Sequence, residues 1–154
     1  IVFSLGLQYT TYIYYDFYFT GENTMTDYFH LNAAPDEIRA ISNLGLAHLG
    51  DGVYELMVRS WLCLHGTTKA KNPIGHGEAR VRPAAMAEKI LPILTEEEAD
   101  VFRRGRNTNP HSIPRAASRE EYQTATAVEA LFGYLYLQGK TERLNALFTL
   151  MMGE

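Results

Sequence analysis

A single cysteine, Cys63, leaves this chain of 154 residues without an internal disulfide. That excludes the disulfide-stapled class of small secreted domains and fits a reducing compartment. Cys63 lies in the apolar run Trp61-Leu62-Cys63-Leu64 with no activating neighbour and is read as a core residue. Zinc motifs are also missing: His30, His48, His65, His76 and His111 show no H-E-x-x-H pair or comparable spacing. No unbroken apolar run reaches the roughly 20 residues of a membrane span. The most aromatic stretch is interrupted by Gln8, Thr10, Thr11 and Asp16 and lacks the basic start of a signal peptide. A formal net charge of -4 gives no global excess of positive charge for nucleic acid. After residue 25 no run alternates apolar and polar residues as a strand does. These absences leave an all-α chain with 46% hydrophobic residues, enough for one domain with a real core.

Residues 1–24 differ from the rest. They hold Tyr9, Tyr12, Tyr14, Tyr15 and Tyr18, half of the ten tyrosines, and no Lys or Arg. They are expected to be a non-native or disordered extension, with Met25 as the natural start and residues 25–154 as the single folded domain. An aromatic strand or an oligomer contact is the alternative.

Helix signals punctuate the remainder. Pro35-Asp36-Glu37 can open a short helix, and Ser42 or Asn43 can cap a long one running to about Leu64 and closed by Gly66. Its apolar residues on several faces mark it as a central, buried helix. Asn72-Pro73 reads as a cap and first turn, and a helix is expected from about Ala84 to Leu94. Thr95-Glu96-Glu97-Glu98 and Ser118-Arg119-Glu120-Glu121 are capping boxes, each opening a helix. The first should end at Arg103-Arg104-Gly105, the second at Gly139. Thr141 is expected to cap a last helix.

Two acids stand out because they fall in apolar helical words. Asp51 lies in Leu46-Ala47-His48-Leu49-Gly50-Asp51-Gly52-Val53, and Glu129 in Ala127-Val128-Glu129-Ala130-Leu131-Phe132-Gly133. A carboxylate taken into an apolar helix is costly unless something pairs with it. The small residues around both let two helix backbones come close, and a crossing near Gly52 and Gly133 would bring the acids together. Glu55, four residues after Asp51, and Thr126, three before Glu129, share their faces and would complete the convergence. Oxygen-only ligands suit Mg2+, with Mn2+ as substitute. The implied chemistry is phosphodiester hydrolysis by a water that the ion activates. The competing readings are a salt-bridged Glu55 and a Glu129 paired with a buried arginine.

Charge is unevenly spread. Between Arg59 and Arg119 stand eleven Lys and Arg against six acids, an excess of five positive charges. Arg103, Arg104 and Arg106 with Asn107 sit at a helix end beside a loop, where guanidinium groups can grip phosphate in pairs. Lys69, Lys71 and Arg80 extend the basic stretch. The alternative is ordinary charge compensation at a helix carboxyl end.

Four words, taken in order, carry a resemblance: Leu46 to Leu56, Leu94-Thr95-Glu96-Glu97-Glu98, Arg104-Gly105-Arg106-Asn107 and Val128 to Leu137. They resemble mini-ribonuclease III of bacteria, the short branch of the ribonuclease III family, over about residues 36–150. The resemblance implies an all-helical endonuclease-domain fold, a homodimer, a magnesium requirement and cleavage of double-stranded RNA, without a separate RNA-binding module. It further implies 23S ribosomal RNA precursor as substrate, a cytoplasmic location, and no membrane or DNA partner. Asp51 matches the aspartate of the family's glycine-aspartate signature and Glu129 the glutamate of its second acidic motif, both as catalytic and metal-linked residues. Glu55 and Thr126 would support them from behind. Full-length ribonuclease III enzymes have glutamates at the positions of Leu44 and Ala47 and an aspartate at Thr126, losses that this branch shares. Pro83 interrupts a stretch that is helical in the family. The competing functions are a non-catalytic helical RNA-binding or ribosome-assembly protein and, more weakly, a nucleotide pyrophosphohydrolase, for which the acids are too few.

Overall fold

The computed structural model of the chain describes residues 26–64, 83–108 and 118–153. The expectations for residues 1–24, Met25, Gly66, Asn72-Pro73, Lys69, Lys71 and Arg80 lie outside the described residues. The chain divides into two compact units, Ile1–Leu31 and Asn32–Glu154. In the first, the described residues make a turn in which the Asp27 carboxylate accepts from the Phe29 N–H at 2.9 Å and bonds the His30 ring at 2.8 Å.

The described part of the second unit is all helical. α1 spans Pro35–Arg39, α2 Asn43–Leu64, α3 Pro83–Ile90 with a 3-10 turn at Leu91–Ile93, α4 Glu96–Arg106, α5 Arg119–Leu137 and α6 Thr141–Met152. The capping signals act as their chemistry requires. The Thr95 hydroxyl accepts from the Glu98 N–H, and the Glu98 carboxylate accepts from the Thr95 N–H. Ser118 and Glu121 repeat the exchange at 3.1 and 2.9 Å. Ser42 caps α2 by accepting from the Gly45 N–H at 3.0 Å. Pro83 is the first residue of α3, where a missing N–H costs nothing. α3 stops at Ile90, short of the expected Leu94, because Pro92 lacks a donor and restricts the residue before it. Gly139, at φ 66°, ends α5 and turns the Lys140 N–H onto the Leu135 carbonyl at 3.0 Å. Thr141 is not a cap; it is the first residue of α6, and Lys140 holds the cap position without a side-chain bond.

The central helix is α5, not α2. Nine α5 residues are buried, and α2, α3, α4 and α6 all pack on it. Phe132, Leu131 and Leu135 are fully buried, each contributing about 1.5–3 kcal/mol by leaving water. α2 buries a single stripe, Leu46, Gly50, Tyr54 and Val58 at steps of four, with Ala47 beside it. Leu56 and Leu64 are exposed, and so is Cys63, which is therefore no core residue. Composition made α2 look buried all round, but a helix packed mainly against one neighbour, α5, buries one stripe. Tyr54 joins α2 to the core edge-on, with its ring 5.4 Å from Phe132 and 6.0 Å from Phe148.

Glycine sets the closest approach of α2 and α5. A Cβ on Gly50 would stand 1.7 Å from the Glu129 carbonyl oxygen, and one on Gly133 would stand 2.1 Å from that of Leu46. The crossing is therefore at Gly50 and Gly133, whereas Gly52, the expected partner, faces open space. Gly105 likewise does not end α4. The helix runs on through Arg106, and Gly105 is buried against α5, where a Cβ would lie 2.8 Å from that of Ala130. At the other end of α4, Glu98 is 3% exposed and bonds Arg143 of α6 through both oxygens at 2.9 and 2.8 Å. Arg143 also donates to the Ile93 carbonyl at 2.6 Å, so one guanidinium ties α6 to α4 and the 3-10 turn.

Candidate active site

The glycine crossing places the two singled-out acids side by side. Gly50 must face α5, so Asp51, the next residue, turns to the edge of the helix pair and stays exposed. Glu129, whose carbonyl oxygen the Gly50 backbone approaches, is partly buried. Both line one cleft of about 560 Å3 between α2 and α5. From α2 and its cap come Ser42, Leu44, Gly45, Ala47, His48 and Asp51; from α5 come Tyr122, Thr126 and Glu129. Burial, and then the neighbouring charge of Asp51, push the Glu129 carboxyl from its ordinary value of 4.5 up to about 7. Neither acid has a hydrogen bond or salt bridge to another side chain among the described residues. The reading of Glu129 as paired with a buried arginine is thus not realised there.

The other expected members behave differently. Thr126 is buried and lines the cleft, but its hydroxyl donates to the Tyr122 carbonyl at 2.9 Å within α5. Glu55 does not join the convergence. It turns along α2 to Arg59, whose Nε donates to it at 2.7 Å, as the competing reading allowed. Glu55 is not among the residues lining the cleft, and the arginine four residues on shares its helix face. Ser42, expected only as a helix cap, and His48 and Tyr122 line the cleft without having been expected there. Their signal was spacing: His48 lies three residues before Asp51, and Tyr122, Thr126 and Glu129 follow at steps of four and three.

The arginines gather at the carboxyl end of α4. Arg103 and Arg104 share the Asp100 carboxylate, with Arg104 Nε at 2.9 Å, and Arg106 reaches Glu120 at 3.4 Å. Arg104 also donates to Asn43 at 3.3 Å. Asn43 begins α2 between Ser42 and Leu44, so this bond sets the arginine cluster beside the mouth of the cleft. Asn107 is the cap of α4, its N–H donating to the Arg103 carbonyl at 3.1 Å. All three guanidinium groups stay substantially exposed.

The donor set fits a hard divalent cation in one way only. Among the described residues no three His, Cys, Asp or Glu side chains group to hold an ion by themselves. Two carboxylates, one of them with its negative charge disfavoured by burial, suit a hydrated ion that takes its other ligands from water and substrate phosphate. Leu44 and Ala47, in the same cleft, add no ligand.

Comparison with known proteins agrees with this geometry. The ribonuclease III domain matches residues 44–140, which include both acids, the arginine cluster and the glycine crossing. A mini-ribonuclease 3 of Symbiobacterium thermophilum is 44% identical over 105 residues, covering 66% of this chain and 81% of the relative. A mini-ribonuclease 3 of Streptococcus pneumoniae is 36% identical over 118 residues, covering 72% of this chain and 91% of the relative. A crystal structure of a Fusobacterium nucleatum protein superposes with a TM-score of 0.59 at 29% identity, over 76% of this chain and 96% of that one. Two acids held across a glycine-fixed helix crossing, within a chain that matches these relatives over most of their length, make this protein a member of the ribonuclease III family, an endoribonuclease of the mini-ribonuclease III kind.

Proposed function

We propose that this chain is a magnesium-dependent endoribonuclease of double-stranded RNA, with Asp51 and Glu129 as its catalytic, metal-linked carboxylates. The observation that carries the reading is the pairing of these two acids in one cleft that no Lys or Arg lines among the described residues. A cation bound there, with Mn2+ as a substitute for Mg2+, supplies Lewis-acid activation of water and neutralises the phosphate. The chain's own residues do the rest. Asp51 and Glu129 hold the charge of the site, the crossing at Gly50 and Gly133 fixes their separation, and Thr126 packs behind them with its hydroxyl bonded to the backbone.

Arg103, Arg104 and Arg106, with Asn107, form the RNA path beside the cleft mouth, and the reading extends it to Lys69, Lys71 and Arg80. A homodimer would double these contacts and set two sites across one duplex, so that paired cuts sever both strands. The 23S ribosomal RNA precursor is the substrate that the family resemblance favours, and the cytoplasm the compartment; no described helix is long and apolar enough to cross a membrane.

A cleavage assay on structured RNA tests the reading. The full chain should cut with Mg2+ and stop with chelator, and a chain that leaves duplex RNA intact under both conditions removes it. The arginine path has its own test. RNA affinity should fall steeply with salt as counterion release becomes less favourable, and Arg104→Ala with Arg106→Ala should flatten that log–log slope by about 1–2. An unchanged slope would return the arginines to their helix-end role with Asp100 and Glu120.

A further inference from the structure

The cleft has an electrostatic problem that its two acids create. Both carboxylates repel an incoming phosphodiester, and no Lys or Arg lines the cleft among the described residues. The one lining side chain able to carry positive charge is His48. It precedes Asp51 by three residues on α2 and so stands on the same helix face. His48 is exposed and has no hydrogen bond or ion pair among the described residues. The other donors are fewer than the lining suggests. The Thr126 hydroxyl is spent on the Tyr122 carbonyl, Leu44 and Ala47 are apolar, and the hydroxyls of Ser42, which accepts from the Gly45 N–H, and Tyr122 are neutral donors that carry no positive charge.

We propose that His48 is a substrate-contacting residue, whose ring N–H donates to a non-bridging phosphate oxygen of the RNA strand in the cleft. The inference rests on the reading of this cleft as the RNA cleavage site. A neutral imidazole offers one such donor and a protonated one offers two, so the contact does not depend on the ring's charge. Position explains the choice of residue. One turn before Asp51, the imidazole faces the strand next to the cation-binding carboxylates without competing for the ion. Metal-ligand spacing among the histidines does not reveal His48, because a phosphate contact needs no second ligand at a fixed interval.

Steady-state cleavage of a short RNA duplex by the full chain, His48→Ala and His48→Gln tests the proposal. A bond lost to a charged acceptor predicts a KM about tenfold higher for His48→Ala with kcat within about twofold. His48→Gln keeps an N–H donor and should recover most of that loss. Thermal unfolding of both variants should match the parent, because the ring is exposed and has no partner among the described residues. A full chain that leaves duplex RNA intact overturns the reading of the cleft, and His48 with it. A cleaving full chain whose His48→Ala variant keeps KM within about twofold, or loses kcat alone, overturns His48 only. Equal loss in the alanine and glutamine variants overturns the hydrogen bond.

Discussion

Glu98 and Glu129 are both acids on helix faces turned toward the core, and their surroundings are opposite. Glu98 meets Arg143 through two hydrogen bonds and closes the α4 capping box; those bonds outweigh its burial and hold its carboxyl below the ordinary value. Glu129 meets Asp51, and burial plus that like charge push it up to about 7. One end of the molecule completes its own electrostatics with protein groups. The cleft leaves its electrostatics to be completed by something that arrives. A satisfied buried acid supports the fold, whereas an acid pushed up by burial beside another acid, in an open cleft, supports the proposed reading of that cleft as a site.

The largest effect should come from the cleft. Asp51→Asn or Glu129→Gln should lower RNA cleavage by about a thousandfold or more, equivalent to about 4 kcal/mol of barrier, with folding retained. Circular dichroism beside the cleavage assay checks both halves, and near-normal cutting by either variant would take that residue out of the mechanism.

The paired end predicts a stability effect instead. Arg143→Ala should destabilise by about 3 kcal/mol, since it leaves Glu98 buried without its partner, and should not alter the metal dependence of cleavage. A urea midpoint close to the parent's would mean that Glu98 is as well served by water, and would break the contrast.

The two glutamates should also respond to pH with opposite sign. Glu98, depressed in the fold, adds stability that is present above the ordinary value of 4.5 and is lost as pH falls through its lower folded value. Glu129, raised in the fold, does the reverse: its ionisation costs stability as pH rises from 4.5 to about 7. Glu129→Gln in the metal-free protein should therefore stabilise it by about 2–3 kcal/mol near pH 8 and by almost nothing near pH 4.5. Urea unfolding at both pH values decides it. A gain that is the same at both would assign the effect to packing, and added Mg2+ should shrink the difference near pH 8 by stabilising the parent.

The smallest effect concerns the open side of α2. A Cβ at Gly52 meets nothing within 4 Å. Gly52→Ala should stabilise the helix by about 0.5–1 kcal/mol and leave cleavage unchanged. A loss of cleavage would show that this face of α2, immediately after Asp51, is occupied when RNA is bound.

Much of this protein is settled locally and could be read from its residues. Helix starts at Thr95 and Ser118 depend on a hydroxyl and a glutamate three residues apart, and the stop at Gly139 on a backbone that only glycine adopts easily; these need no distant partner. Glu129 stood out in the sequence because a carboxylate in an apolar helical word is costly once buried, as it partly is here, whereas Asp51, in a similar word, escapes that cost by facing the exposed edge of α2. Tertiary structure decided which of several equivalent small residues would meet. Gly50 and Gly52 look alike in sequence, as do a terminating and a packing Gly105, but only the relative rotation and crossing of α2, α4 and α5 determines whose missing Cβ is needed. The same geometry sent Glu55 to Arg59, left Cys63 in solvent, made α5 the central helix and brought His48 and Tyr122 into the cleft. Contacts between helices far apart in the chain depend on which stripe each presents, and a helix apolar on several faces does not specify that stripe until its neighbours are in place.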